Sequence, residues 1–170
     1  MKILEQTSIE KIEDHLLRLG GANHPDNMKQ LMRFEFYCRS ELAEDDFWGL
    51  VFLQNDEVLP ISPRGYDRTL RSVAARAIEL GQPRLSGNWD LGTNLQRMRE
   101  KLAGESTFRE QLLVCESRVG EQRFGRFYLQ DGSHRALAYA TLILLGEAQY
   151  EEQIAFCSMS ESLHNVLSRR

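Results

Sequence analysis

The sequence predicts an α+β fold, a single compact domain in which N-terminal helices pack on a small mixed sheet. Helical patterns come first along the chain and a strand–helix–strand unit follows them, an order typical of α+β domains. The chain has 170 residues, of which 42% are hydrophobic and 27% charged, as in ordinary globular proteins. We therefore expect residues 1–170 to form one domain.

The N-terminal part, residues 1–85, begins with two helical patterns. A capping box at residues 7–10 opens the first helix, which carries apolar residues at helical spacing and ends at the glycines 20–21. His-Pro-Asp at residues 24–26 opens the second helix, since proline suits the first helical position. We extend this second helix toward Leu42.

A strand and two further helices are predicted in the middle of the chain. Residues 47–53 are apolar and rich in strand formers, so they predict a strand. One helix then starts at Tyr66 or Asp67, and the next at Asn88 or Asp90.

The C-terminal part predicts a hairpin, a buried helix, and a closing strand and helix. In chain order these are a strand at residues 111–115, a turn at 121–122, a strand at 124–129, a helix at 136–145, a strand at 152–156 and a helix at 159–167. Apolar residues surround the axis of the first of these helices, so we expect it to be buried on most sides.

Composition limits the cellular setting and the kinds of site. The cysteines Cys38, Cys115 and Cys157 are widely spaced, which fits a reducing compartment and small core residues. The four histidines are scattered, so we expect no structural metal site. No apolar run reaches the roughly 18 residues of a membrane span, and the N-terminus lacks a signal-peptide pattern. These features predict a cytoplasmic protein that does not bind membranes.

Charge is distributed unevenly along the chain. Residues 1–60 hold 6 basic and 12 acidic side chains, whereas residues 61–135 hold 13 basic and 9 acidic ones. The overall net charge of −4 disfavours a protein that binds nucleic acid over its whole surface. We expect a local anion site in the positive middle third, and DNA as a possible but not favoured partner. The acidic N-terminal part is a candidate surface for a protein partner.

Residues 131–135, Asp-Gly-Ser-His-Arg, join a predicted strand to the buried helix. The first turn of a helix leaves backbone N–H groups without intrahelical partners and carries a partial positive charge. Gly132 allows close approach of a ligand, and Ser133, His134 and Arg135 add donors at the same end. This combination is typical of a phosphate-binding helix N-terminus, although a simple turn with a serine cap would use the same residues. Asp131 is expected to order Arg135 or to hold a metal ion that bridges phosphates.

The surrounding sequence resembles a known superfamily. Residues 124–138 (FGRFYLQDGSHRALA) resemble the central motif of the ParB/sulfiredoxin superfamily, in which a strand leads into D-G-x-x-R and an Ala/Leu-rich helix follows. The resemblance covers about residues 109–158, and residues 1–85 show no match to that superfamily. Ser133 stands where sulfiredoxins have their catalytic cysteine, so the resemblance does not imply cysteine-sulfinate reduction.

The resemblance implies a nucleotide site at the same loop. Gly132, Ser133, His134 and Arg135 would contact the phosphates of a nucleotide, with ATP expected first. Asp131 would hold magnesium, and Asp131 with His134 would be the catalytic residues. The implied activity is nucleotide hydrolysis or phosphoryl transfer.

Two other functions stay open. The loop could hold a backbone phosphate of DNA in a nuclease, or the protein could be a non-catalytic interaction or inhibitor protein that uses nucleotide as a structural ligand. A further catalytic carboxylate is not identified by the sequence. Asp67 and Asp90 are candidates, but a helix cap is the favoured role for each. The acidic run at residues 44–46 is expected to be solvated surface.

Overall fold

Seven helices and one six-stranded sheet make up the part of the chain that the computed structural model describes, namely residues 1–19, 24–53, 60–63, 65–81, 90–104, 112–117 and 127–169. The helices are α1 (Ile9–Arg18), α2 (His24–Leu31), α3 (Glu44–Trp48), α4 (Leu70–Glu79), α5 (Leu91–Ala103), α6 (Ser133–Leu144) and α7 (Glu161–Leu167). The strands are β1 (Lys2–Gln6), β2 (Phe36–Leu42), β3 (Val51–Phe52), β4 (Leu112–Glu116), β5 (Phe127–Asp131) and β6 (Gln153–Met159).

The sheet is mixed, with the strand order β1-β2-β6-β4-β5-β3. The pairs β1–β2, β2–β6 and β4–β5 are antiparallel, whereas β4–β6 and β3–β5 are parallel. The predicted α+β class with a mixed sheet is therefore confirmed. The antiparallel pairing of β4 with β5 also confirms the predicted hairpin partners.

Helices cover both faces of this sheet, as the alternation along β4 shows. Leu112 and Val114 face one apolar cluster, and Leu113 and Cys115 face the other, because successive side chains of a strand point to opposite faces. The first cluster includes residues of α3, α4, α5, α6 and α7. The second includes Ile12 and Leu16 of α1 and Met28 and Leu31 of α2. The two N-terminal helices thus pack on the sheet, as predicted.

Helix α6 is the most buried helix on its side, with all seven residues from 136 to 142 buried. It starts three residues before the predicted start, at Ser133, and ends as predicted just before Gly146, whose φ is +73°. The hydroxyl of Tyr139 donates to the carbonyl of Gln149 at 2.9 Å and accepts from the N–H of Glu151 at 2.9 Å. These bonds tie the helix to the segment that leads into β6.

The predicted extension of the second helix toward Leu42 is wrong. Helix α2 ends at Leu31, and residues 36–42 form strand β2, in which alternate residues are buried. The hydroxyl of Tyr37 donates to the carbonyls of Leu31 and Phe34, so the strand itself closes the helix end. A period of two in burial, set by the sheet, outweighs the weak helical pattern of this segment.

The predicted strand at residues 47–53 is only partly right, and strand β1 was not predicted. Helix α3 spans Glu44–Trp48, and only Val51–Phe52 pair in the sheet. Strand β1, Lys2–Gln6, lies at the sheet edge, where most of its side chains are exposed and leave little hydrophobic pattern to detect.

The predicted glycine stop at residues 20–21 and the turn at 121–122 lie outside the described residues. None of the described helices combines the length and apolarity that a membrane crossing requires.

Candidate functional site

The predicted loop lies at the junction of β5 and α6. Strand β5 ends at Asp131, and Gly132 is the N-cap of α6 with φ +84° and ψ 10°, in the left-handed region. An L-residue with a Cβ is disfavoured in this conformation, which explains why glycine stands at this turn. The N–H of Ala136 bonds to the carbonyl of Gly132 at 2.8 Å. The three N–H groups before it, on residues 133–135, have no carbonyl within the helix to bond with.

An ion pair closes this first turn. The Arg135 Nη2 donates to Asp131 Oδ2 at 2.6 Å, with side chains 31% and 25% exposed. The Arg135 Nε is buried and has no hydrogen-bond partner in the described part of the chain. Of the two predicted roles for Asp131, ordering Arg135 is therefore confirmed. The Nη2 donor of Arg135 is thus bonded to Asp131, whereas its buried Nε donor has no partner in the described part of the chain.

The surroundings of Arg135 are positive. Burial, and next the charge of Arg135, hold the pKa of Lys101 on α5 below its ordinary value. Burial is the main cause of a lowered pKa of His15 on α1, and the charges of Arg18 and Arg135 lower it further, against the effect of Asp131. Two cationic groups, Lys101 on α5 and Arg135 on α6, therefore influence each other at this end of the sheet. An anion placed among them would relieve their repulsion.

The other predicted residues of the loop take their places in the first turn of α6. Ser133 is its first residue and His134 its second, and both are half-buried. Because Gly132 is the N-cap, the serine does not cap the helix. The five predicted residues thus lie together on one strand end and one helical turn.

Of the two remaining carboxylate candidates, Asp90 is the helix cap that was favoured, whereas Asp67 lies two residues before Thr69, which is the actual cap of α4. Asp67 accepts hydrogen bonds from the N–H and hydroxyl of Thr69 and from the hydroxyl of Ser72. Asp90 is the N-cap of α5 and accepts from the N–H of Gly92 at 2.8 Å. Neither supplies a catalytic carboxylate at the Asp131–Arg135 turn in this arrangement.

The predicted role of Asp131 as a metal ligand fits magnesium only in part. Among the described residues no group of three or more His, Cys, Asp or Glu side chains could hold a metal ion. Magnesium bound to nucleotides often takes only one or two protein carboxylates, with phosphates and water completing its shell. Asp131 can serve as such a single ligand if it shares its carboxylate with Arg135.

The cysteines are core residues, as predicted. All three are free and buried, and Cys38 and Cys157 lie opposite each other on β2 and β6. Burial raises the pKa of Cys115 to about 12 and that of Cys157 well above its ordinary value. A thiol with a raised pKa is a poor nucleophile at neutral pH, so Cys115 and Cys157 are structural.

A second feature, which the sequence did not predict, is a cleft between α1 and the sheet with a volume of about 250 Å³. We call it the α1 cleft; it is lined by Glu5, Thr7, Lys11, Asp14, His15, Arg18, Arg39 and Phe156. The spacing of Lys11, His15 and Arg18 (i, i+4, i+7) places them on one face of α1. That spacing is the only signal for the α1 cleft in the sequence. It does not indicate a site by itself, because the sequence does not show that the sheet packs against this face of α1.

One row of residues across the sheet links the α1 cleft to the predicted loop. Glu5, Arg39, Phe156, Leu113 and Asp131 are successive partners on β1, β2, β6, β4 and β5. Neighbouring strands are spaced about 4.8 Å apart, and β4 lies between β6 and β5. Two such spacings, or about 10 Å, therefore separate Phe156 from Asp131. The two features are neighbours at one end of the molecule.

No protein-family model matches the chain, and no curated protein or solved structure matches it either.

Proposed function

We propose that this protein is a ParB/sulfiredoxin-type nucleotide-binding protein that holds a nucleoside triphosphate, ATP in the first place, with magnesium at the N-terminus of α6. The observation that carries the proposal is the left-handed Gly132, which opens a twelve-residue helix whose Arg135 has a second cation, Lys101, near it. Backbone N–H groups, the helix dipole and Arg135 all favour phosphate there. The order of β4, β5, the D-G-S-H-R turn, α6 and β6 agrees with the motif on which the family resemblance rests.

In this proposal each residue of the turn has a separate task. The N–H groups of residues 133–135 bind phosphate oxygens, and the Ser133 hydroxyl adds a donor. Arg135, held by Asp131, stabilises the charge on the phosphates. His134 gives or takes a proton at the oxygen that attacks or leaves the phosphorus. Magnesium, bound through Asp131, would neutralise charge on the phosphates.

The proposal makes Arg135 decisive for nucleotide binding. In a thermal-shift screen of ATP, ADP, CTP, GTP and pyrophosphate, with and without magnesium, a ligand at 100 times its Kd stabilises the native state by about 2.7 kcal/mol. That corresponds to a shift of several degrees in a chain of this size, since about 1 kcal/mol moves Tm by roughly 2–4 °C. We expect Arg135→Ala to abolish the shift that a nucleotide produces and to leave the circular dichroism spectrum unchanged.

The matched control for this variant is Arg97→Ala, an exposed arginine of α5. It removes the same charge and should retain the full shift. If Arg135→Ala binds nucleotide as tightly as Arg97→Ala, the phosphates do not lie at this turn. A screen without any shift would contradict nucleotide binding altogether.

Binding without turnover is the second candidate function. It is favoured by the Asp131–Arg135 ion pair, which occupies one oxygen of that carboxylate, and by the local hydrogen bonds that already engage Asp67 and Asp90. In that case the nucleotide is a structural ligand, and the acidic N-terminal part would bind a protein partner. Phosphate release, measured with the nucleotide that gives the largest shift, separates the two functions. A DNA arm with increasing salt in the same series tests the nuclease alternative.

A further inference from the structure

The α1 cleft has the features of a binding site that does not depend on the α6 N-terminus. Lys11, His15 and Arg18 of α1 form one wall. Strands β1, β2 and β6 form the opposite wall with Glu5, Arg39 and Phe156 respectively. The volume of the cleft is about 250 Å³. A small organic molecule fits such a space.

His15 is the residue that points to a ligand. Its side chain is only 8% exposed, its ring packs against Phe156 with centroids 4.5 Å apart, and its Nε2 has no hydrogen-bond partner in the described part of the chain. Buried polar atoms are nearly always paired, because water is no longer present to satisfy them. A ligand oxygen in the cleft would supply the missing partner.

The charges of the cleft select a negative ligand. Lys11, Arg18 and Arg39 face only two carboxylates, those of Glu5 and Asp14, so one positive charge is in excess. Arg39 is already engaged, because its Nη1 donates to Glu5 Oε1 at 2.7 Å. Arg18 uses its Nε on the backbone carbonyl of Asp14 at 3.3 Å, which leaves its terminal amino groups as donors for a ligand.

From these observations we propose that the α1 cleft binds a small organic oxyanion, a phosphate- or carboxylate-bearing molecule, between Arg18, Lys11 and the Nε2 of His15, whose ring turns toward the cleft to expose this covered nitrogen. The ligand is held by hydrogen bonds and charge, and no bond in it is broken. The proposal is independent of nucleotide binding at the α6 turn, because none of the lining residues belongs to that turn.

Binding of the oxyanion is coupled to a proton. Burial is the main cause of a lowered pKa of His15, and the charges of Arg18 and Arg135 lower it further. Asp131 from the end of β5 opposes this effect, and Arg39 from β2 adds a small lowering. His15 is therefore neutral in the free protein at neutral pH. An oxyanion beside the ring favours its charged form, so His15 takes up one proton from solvent when the ligand binds.

Isothermal titration calorimetry with inorganic phosphate, pyrophosphate and citrate tests the proposal. The three ligands also titrate in this range, so the pH dependence that comes from their own ionisation is subtracted; the remaining part should make binding about tenfold tighter at pH 6 than at pH 8. Binding of the phosphates alone or of citrate alone would identify which oxyanion the cleft prefers. Sodium chloride at the same ionic strength should produce no saturable heat, and absence of saturable heat with all three oxyanions would overturn the proposal.

Variants assign the binding to the cleft. Arg18→Gln should weaken oxyanion binding at least about tenfold, as expected when a charged hydrogen bond worth about 1.4 kcal/mol or more is lost. Arg76→Gln on α4, the matched control, should bind as the wild type does. His15→Gln should remove the pH dependence, and if this variant does not fold, Arg18→Gln alone decides.

Arg135→Ala separates this proposal from the nucleotide site. It should keep oxyanion binding in the cleft while it loses the nucleotide-induced thermal shift. Oxyanion binding that is lost in Arg135→Ala and retained in Arg18→Gln would overturn the cleft site and assign the anion to the α6 turn.

Discussion

The α6 turn and the α1 cleft are two positive regions built in different ways. At the α6 turn the donors are mostly backbone N–H groups that follow one left-handed glycine. In the α1 cleft the donors are side chains from α1 and β2, and a buried histidine has a ring nitrogen without a partner among the described residues. The first region lies in five consecutive residues, whereas the second is assembled from four elements.

The comparison also shows what a charge count along the chain misses. Residues 1–60 are strongly acidic as a whole, yet Lys11, Arg18 and Arg39 of this same part converge on one cleft. Packing α1 on the sheet brings these cations together and leaves most of the carboxylates elsewhere. The expectation of an anion site in the middle third therefore considered only one of the two positive regions.

The largest stability difference between the two regions should come from Gly132. Gly132→Ala forces a Cβ into left-handed backbone, which costs about 1–2 kcal/mol of the free energy of unfolding. Gly104→Ala is the matched control, because Gly104 ends α5 with φ −88° and a Cβ there would meet the carbonyl oxygen of Glu100 at 3.5 Å. Urea denaturation of both variants measures the difference. Equal stability of the two would mean that the turn does not require glycine.

A smaller effect is expected from the titration of His15. The pKa of His15 in the folded protein lies below its unfolded value of 6.5. As pH falls through 6.5 the unfolded state binds the proton first, so this residue lowers the stability of the folded state until its folded pKa is passed. His15→Gln should reduce that loss of stability between pH 8 and pH 5. Urea denaturation at both pH values measures it.

Leu17→Gln, on the exposed face of the same helix, is the control for the pH series. It changes α1 without touching the cleft and should keep the acid-dependent loss of the wild type. Saturation with the oxyanion should also reduce the loss, because the bound charge raises the pKa of His15. A wild-type profile retained in His15→Gln would contradict the role of this residue.

The smallest effects should come from the ion pairs. Asp131→Asn should cost less than about 1 kcal/mol, since partly exposed pairs contribute little to stability. Glu5→Gln, which removes the more exposed partner of Arg39, should cost even less in the same denaturation series. The comparison is informative in binding: Asp131→Asn should impair magnesium-dependent nucleotide binding, whereas Glu5→Gln, by releasing Arg39, should tighten oxyanion binding in the cleft. Unchanged nucleotide binding in Asp131→Asn, or weaker oxyanion binding in Glu5→Gln, would contradict the role given to the respective carboxylate.

The sequence was most informative where one short segment contains the whole pattern. The Asp90 cap of α5, the pairing of β4 with β5 and the glycine before α6 are all local signals, and each is present in the structure. The capping box at residues 7–10 was one residue out of place, because the cap of α1 is Ser8. Strands β1 and β2 gave no such signal, because β1 is an exposed edge and β2 was mistaken for the end of a helix. Their burial depends on partners that lie far along the chain.

The sequence by itself determined the α+β class, the buried α6 and the turn that combines Asp131, Gly132 and Arg135. It could do so because backbone sterics, helix capping and hydrophobic periodicity act over a few residues. Only the tertiary structure decided that α1 lies over β1, β2 and β6, and with this the α1 cleft and the unpaired nitrogen of His15. Contacts between residues that are distant in sequence depend on how whole elements pack, and no local pattern records them.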